Sequence, residues 1–167
     1  MLEAWRELPD VALRIAGTGP MAQQVRDFAA SHSNVDYVGM ITPAEVAELM
    51  RGAIATLLPS TWDEPSPVVV AQSFSVGTPV IASDFGSRHE TVVHGKTGLV
   101  YPGADVKELV RQVRWAANRQ PQVLSMVTAA RREYELKFSS MANHKRLMAA
   151  YEETLERKGR REVAALV

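Results

Sequence analysis

Short apolar runs alternate with stretches of helical period through the first hundred residues. Residues 11–16, 35–38, 54–58, 79–82 and 98–101 read as strands, and most are apolar nearly throughout. That pattern belongs to parallel strands covered on both faces rather than to a sheet with one wet side. Between them, 20–31, 43–52, 67–76 and 87–94 carry helical signals. Strand–helix alternation of this kind predicts an α/β fold with a doubly wound parallel sheet. After Pro102 the pattern becomes helical over 104–119, 121–137 and 140–158, where Leu109, Val113 and Ala116, then Leu147, Tyr151 and Leu155, recur at helical spacing. With no internal repeat and no low-complexity linker, the reading is one domain over 1–158 and a frayed tail over 159–167.

Several helix starts are written into the local chemistry. Thr42-Pro43-Ala44-Glu45 is a capping box with proline at the first helical position, and Ser87-Arg-His-Glu90 repeats the capping pattern. Ser66-Pro67 sets a capping hydroxyl and a proline directly before Val68-Val69-Val70.

Composition narrows the function classes. The 167 residues hold 19 Lys plus Arg against 19 Asp plus Glu, so no net charge favours nucleic acid or an acidic membrane surface. There is no cysteine, which removes disulfides, thiolate metal sites and thiol nucleophiles and fits a reducing cytoplasm. No apolar stretch approaches the roughly 20 residues that span a bilayer, and the charged start lacks the apolar run of a signal peptide.

Three short motifs are weaker than they look. Gly17-Thr-Gly19-Pro-Met-Ala22 has the spacing of a dinucleotide fingerprint. The acidic residue that should end the next strand is missing, however, since Tyr37-Val38-Gly39 stands there, and Pro20 removes an amide donor. A tight strand–helix turn explains it better. His89 and His94 are five residues apart, about 140° around a helix, and so do not share a metal from one face. Gly95-Lys96-Thr97 resembles the end of a phosphate loop, but Glu occupies position 90 and a strand follows where a helix is required.

The informative segment runs from Pro59 to Ser83. It reads as a buried strand, a loop holding Glu64, and a capped helix beginning two residues later. A helix start offers free backbone N–H groups and a positive dipole end, which suits a phosphate. It also lies at the carboxyl end of a strand, where open α/β sheets bind ligands. Glu64 is placed to hold sugar hydroxyls, and Gln72, later on the same helix, to reach another polar part of a ligand. A capped core helix with a solvated Glu at its mouth is the plainer alternative.

At this segment the sequence resembles the C-terminal, donor-binding domain of retaining GT-B glycosyltransferases, glycosyltransferase family 4 (group 1). The likeness rests on Pro59-Ser60, Glu64 and Gly77-Thr-Pro-Val80, and on Leu13-Arg-Ile-Ala-Gly17-Thr-Gly19-Pro20, Val35-Asp-Tyr-Val-Gly39 and His94-Gly-Lys-Thr-Gly98-Leu-Val in consecutive order. Phe138-Ser139 and Tyr151 match the closing helices. The resemblance implies a Rossmann-like half of a GT-B fold that binds a nucleotide diphosphate sugar as donor substrate. It further implies transfer of a hexose-type sugar to an acceptor with retention, and neither a metal nor a cofactor. Glu64, the catalytic residue that the resemblance implies, would accept from donor-sugar hydroxyls, and Pro65, Ser66, Pro67, Val68 and Val69 would present the helix-start backbone to sugar and diphosphate. Gly39, Met40 and Ile41 would hold the base through backbone contacts, and Gln72 would bind the ribose.

Two departures from the family pattern carry weight. Gln72 stands where the pattern has a second Glu. The acceptor-binding domain and the first strand of the donor domain, with its Gly-Arg and following Lys, do not precede Leu13, and 59–72 holds no Arg or Lys to replace them. The resemblance places that strand between the Leu13 and Ile54 strands, so both are expected to keep an unpaired edge. The expectation is therefore a truncated or isolated donor domain, inactive alone, that needs an acceptor domain or partner chain. The alternatives are a non-catalytic nucleotide-sugar-binding or assembly module, an epimerase of similar architecture and, more distantly, a dinucleotide oxidoreductase.

Overall fold

The computed structural model describes residues 1–62, 68–85 and 91–164, with side chains described through Lys158. The chain runs α1 (Leu2–Trp5), β1 (Leu13–Ala16), α2 (Ala22–Ser31), β2 (Val35–Gly39), α3 (Pro43–Arg51), β3 (Thr56–Leu58), α4 (Val68–Ser75), β4 (Val80–Ser83) and β5 (Gly98–Tyr101). It closes with α5 (Val106–Asn118), α6 (Gln120–Glu133), a π turn (Tyr134–Phe138) and α7 (Ser140–Ala164). The helix expected over 87–94 lies largely in 86–90, outside the described residues. The last helix continues through Ala164, past the point where a frayed tail was expected, across a stretch rich in Arg, Glu and Ala that favours helix.

All strand pairings are parallel, but the pairing is interrupted. β1 pairs with β2, and β3, β4 and β5 pair in that order, as two sheets with no ladder between them. The break between the Leu13 and Ile54 strands is thus present in the molecule.

One core nevertheless spans both sheets. Leu13 and Val35 from the first sheet pack in the same cluster as Ile81, Leu99 and Tyr101 from the second, under Trp5 and Leu8 and the α5 residues Leu109 and Val113. A second cluster holds Val70, Phe74, Val80, Ala82, Val92 and Ala130. Along β3, β4 and β5 the residues alternate between the clusters: Leu57 then Leu58, Val80 then Ile81, Leu99 then Val100. The clusters therefore lie on opposite faces of the sheet.

These faces fix the strand order. Phe28 places α2 on the first face, whereas α3 packs on α4, whose Val70 and Phe74 belong to the second. Parallel crossovers are right-handed, so helices on opposite faces carry the chain in opposite directions across the sheet. The crossover from β1 to β2 runs one way, and those from β2 to β3 and from β3 to β4 run the other. The spatial order is therefore β2, β1, gap, β3, β4, β5, with the open edges of β1 and β3 facing each other.

Local details follow the sequence closely. Thr42 Oγ1 accepts from the Glu45 amide at 3.3 Å, while the Glu45 carboxylate accepts from the Thr42 amide at 2.7 Å, completing the capping box of α3. These bonds hold the Glu45 carboxyl below its ordinary value of 4.5. The π turn closes with the Ser139 amide donating to the Tyr134 carbonyl at 2.9 Å, and it seats Phe138 edge-on to Phe74 at 6.3 Å between ring centroids.

Two predictions come from these features. A Cβ at Gly98 would lie 2.0 Å from the Val80 carbonyl oxygen and 2.8 Å from Val92 Cγ1, so Gly98→Ala has to push β5 off β4. Urea unfolding of that variant is expected to show a loss of at least about 3 kcal/mol. For the capping box, a carboxyl with a lowered folded pKa stabilises above its unfolded value and loses that contribution as pH falls through the folded one. Wild type is expected to exceed Glu45→Gln in thermal stability at neutral pH, with the margin closing as pH drops below 4.5.

Candidate functional site

Each strand delivers a loop at its carboxyl end, and the intervening helices return the chain so that these loops share one edge of the molecule. The expected site residues divide between two of them. Gly39, Met40 and Ile41 leave β2, and Val68, Val69 and Gln72 lie on α4, which follows the loop after β3. The two groups flank the β1–β3 gap. Glu64, Pro65, Ser66 and Pro67 lie outside the described residues.

At the β2 end the backbone is held unusually tightly. Gly17 has φ +115° and Gly39 φ +69°, both in the region that favours glycine. The Gly17 amide donates to the Gly39 carbonyl at 2.7 Å, and Tyr37 Oη donates to the Gly17 carbonyl at 2.7 Å. Both backbone groups of Gly17 are thereby spent on tying the Gly17–Pro20 turn to the β2 loop. Arg26 covers the outer face of the Tyr37 ring at 5.5 Å from its centroid. Met40, 73% exposed, projects from the loop so anchored. Tyr37 carried no signal in the sequence, because a strand tyrosine reads as packing.

The α4 end is fixed by buried hydroxyls. Ser73 is fully buried, and its Oγ lies 2.8 Å from both Thr56 Oγ1 and the Thr78 carbonyl. Thr78 Oγ1 in turn donates to the Met50 carbonyl at 2.7 Å. This chain pins α4 to β3, to the start of β4 and to the end of α3. Its neighbour Gln72 stays exposed, and Val68 is 67% exposed at the first described turn. α4 thus has one face locked in the core and one offered to solvent. Nearby, Ser83 Oγ donates to the Ser60 carbonyl at 2.6 Å, joining the ends of β3 and β4 beneath the Glu64 loop.

Other candidates take structural roles. His94 Nδ1 accepts from the Val100 amide at 3.0 Å, bracing the turn that leads into β5. His89 lies outside the described residues, among which no three His, Asp or Glu side chains gather as metal ligands. A cleft lined by Arg51, Gly77, Val127, Arg131 and Arg132 sits at the other end of α4, where the Arg131 guanidinium donates to the Ser75 carbonyl and satisfies the helix terminus.

With this geometry established, comparison with known proteins decides the family. The model for "Glycosyl transferases group 1" matches residues 1–133. The chain belongs to this family. A glycogen synthase of Mycobacterium tuberculosis is 33% identical over 112 residues, covering 65% of this chain and 27% of that protein. A D-inositol 3-phosphate glycosyltransferase of Thermobispora bispora is 32% identical over 139 residues, covering 78% of this chain and 31% of its own length. This group 1 glycosyl transferase chain therefore spans about a third or less of these curated relatives.

Solved structures agree on the fold. Anabaena HepE in complex with UDP-glucose superposes with a TM-score of 0.79 at 17% identity, over 91% of this chain and 44% of that one. Sucrose-phosphate synthase from Thermosynechococcus elongatus superposes at 0.81 and 22% identity, over 93% and 41%. The Rossmann-like α/β reading is correct. No described helix is long and apolar enough to cross a membrane.

The hydroxyl chain around Ser73 gives a direct test of how α4 is held. Ser73→Ala leaves the Thr78 carbonyl and Thr56 hydroxyl without their buried partner, and is expected to cost about 1–3 kcal/mol in chemical denaturation.

Proposed function

We propose that this group 1 glycosyl transferase chain is the C-terminal, donor-binding domain of a retaining GT-B enzyme of glycosyltransferase family 4. It takes a nucleotide diphosphate sugar and serves transfer of a hexose-type unit to an acceptor held by a separate domain or partner chain. The observation that carries the reading is α4 itself. It is a helix locked on one face by Ser73 that begins just after the Glu64 loop, at the carboxyl edge of a parallel sheet, opposite the anchored Gly39–Ile41 loop. The likeness to a sugar-nucleotide complex in HepE supports the substrate class.

In this reading Glu64 accepts from donor-sugar hydroxyls, and backbone from Pro65 through Val69 faces sugar and diphosphate. Gly39, Met40 and Ile41 line the base, and Gln72 meets the ribose. No protein nucleophile, metal or cofactor is invoked. The rate comes chiefly from stabilising the charge that develops on the leaving diphosphate. Gln72 accepts from one ribose hydroxyl and donates to another, but lacks charge. Hydrogen bonds to charged groups contribute about 1.5–3 kcal/mol against roughly 1 for neutral ones, so donor affinity is weakened rather than lost. The working compartment in this reading is the cytoplasm, and the chain alone does not turn over.

The test is a thermal-shift panel of UDP, GDP, ADP and their hexose conjugates on wild type, Glu64→Ala and Gln72→Glu. A ligand at 100 times its dissociation constant stabilises by about 2.7 kcal/mol. One nucleotide sugar should raise the wild-type midpoint, less in Glu64→Ala and more in Gln72→Glu. A folded sample that responds to none of them would overturn the proposal.

A further inference from the structure

The interrupted sheet leaves backbone groups pointing at each other across a lane that no ladder crosses. The Leu13 and Gly17 amides donate to Asn34 and Gly39, so alternate residues of β1 face β2, and Arg14 and Ala16 direct their backbone groups the other way. On β3 the Thr56 amide donates to Pro79 and the Leu58 position pairs with β4, leaving Ala55 and Leu57 directed outward. The order β2, β1, gap, β3, β4, β5 puts these two outward rows opposite one another.

This is not an ordinary pair of outer edges. Sheet edges are commonly blunted by charge, proline or a covering element because they otherwise recruit strands. Here Ile15, Leu57 and Leu58 remain only half-buried, and Ile54 is 47% exposed beside β3. The lane also has apolar walls on both faces. Leu13, Ile15 and Leu57 belong to the core under α1 and α5, whereas Leu58 belongs to the core under α4. A chain lying in it would place alternate side chains into two different apolar cores, so both rows must be apolar.

We propose that the gap between β1 and β3 is a docking site for one extended apolar segment of a partner polypeptide, taken up parallel to both strands. Its addition joins the two-stranded and three-stranded sheets into one six-stranded sheet. Main-chain bonds to Arg14, Ala16, Ala55 and Leu57 supply the affinity, and the two apolar rows supply the selectivity. A second copy of this chain does not fit the role. Every strand among its described residues is already paired on at least one side and backed by helices, so none is free to enter a lane flanked on both sides. This inference does not rest on the nucleotide-sugar reading and is tested without any nucleotide.

The test is amide hydrogen exchange, read by NMR, on the 167-residue chain with and without seven-residue peptides. The probes are capped Lys-Val-Leu-Val-Val-Val-Lys and variants exchanging Val for Ile or Leu, with a control carrying a central proline. At least one probe should slow exchange of the Arg14, Ala16, Ala55 and Leu57 amides tenfold or more, saturably, and the control should not. Three outcomes would overturn the proposal on a sample shown folded by circular dichroism. These are no protection with any probe, protection confined to the outer edges of β2 and β5, or concentration-dependent protection of the four amides in the chain alone, which would assign the lane to a second copy.

Discussion

Trp5 and Leu8 of the N-terminal segment, Leu13 and Val35 of the first sheet, Ile81 and Leu99 of the second and Leu109 of α5 all meet in one apolar cluster. Hydrogen bonding cannot perform this task, because the ladders stop at β1 on one side and β3 on the other. Burial is non-directional and needs no register, so it can hold two sheets together where backbone pairing is interrupted. Everything at the candidate site inherits its position from that cluster. The Gly39 loop rides on one sheet, α4 rides on the other, and only the shared core relates them.

Within each sheet the polar anchors act locally. Ser73, Thr56 and Thr78 fix α4 to its own sheet, while Tyr37 and Gly17 fix the β2 loop to its own. No such bond crosses the gap among the described residues. Each half of the site is therefore stiff, and their separation depends on apolar packing alone.

The strands were legible because parallel strands buried on both faces are apolar runs, and the capping box of α3 could be read from four letters. Their ends were not, for reasons visible in particular bonds. β1 begins at Leu13 rather than at residue 11 because the Val11 carbonyl is taken by Trp5 Nε1 at 3.0 Å and Asn34 Nδ2 at 2.9 Å, side chains rather than a neighbouring strand. β4 begins after Pro79, which accepts from Thr56 but has no N–H to return. The site was legible where a helix start and loop are written in Pro, Ser and Glu. The hydroxyls that lock it were not, since Tyr37 and Ser73 acquire meaning only from groups 20 and 5 residues away.

The π turn at Tyr134–Phe138 breaks what the periodicity suggested was one helix over 121–137. A π turn holds one residue more than a regular turn, and it is the trace an insertion leaves when a helix absorbs it without unravelling. Removing one residue here would restore an ordinary helix but rotate everything beyond it by about 100° and advance it by roughly 1.5 Å. Phe138 would then swing off Phe74, and α7 would leave the body of the protein on a different bearing. Deletions in this turn are thus silent to local helicity yet re-aim a 25-residue helix, so the length of this segment is constrained independently of its composition.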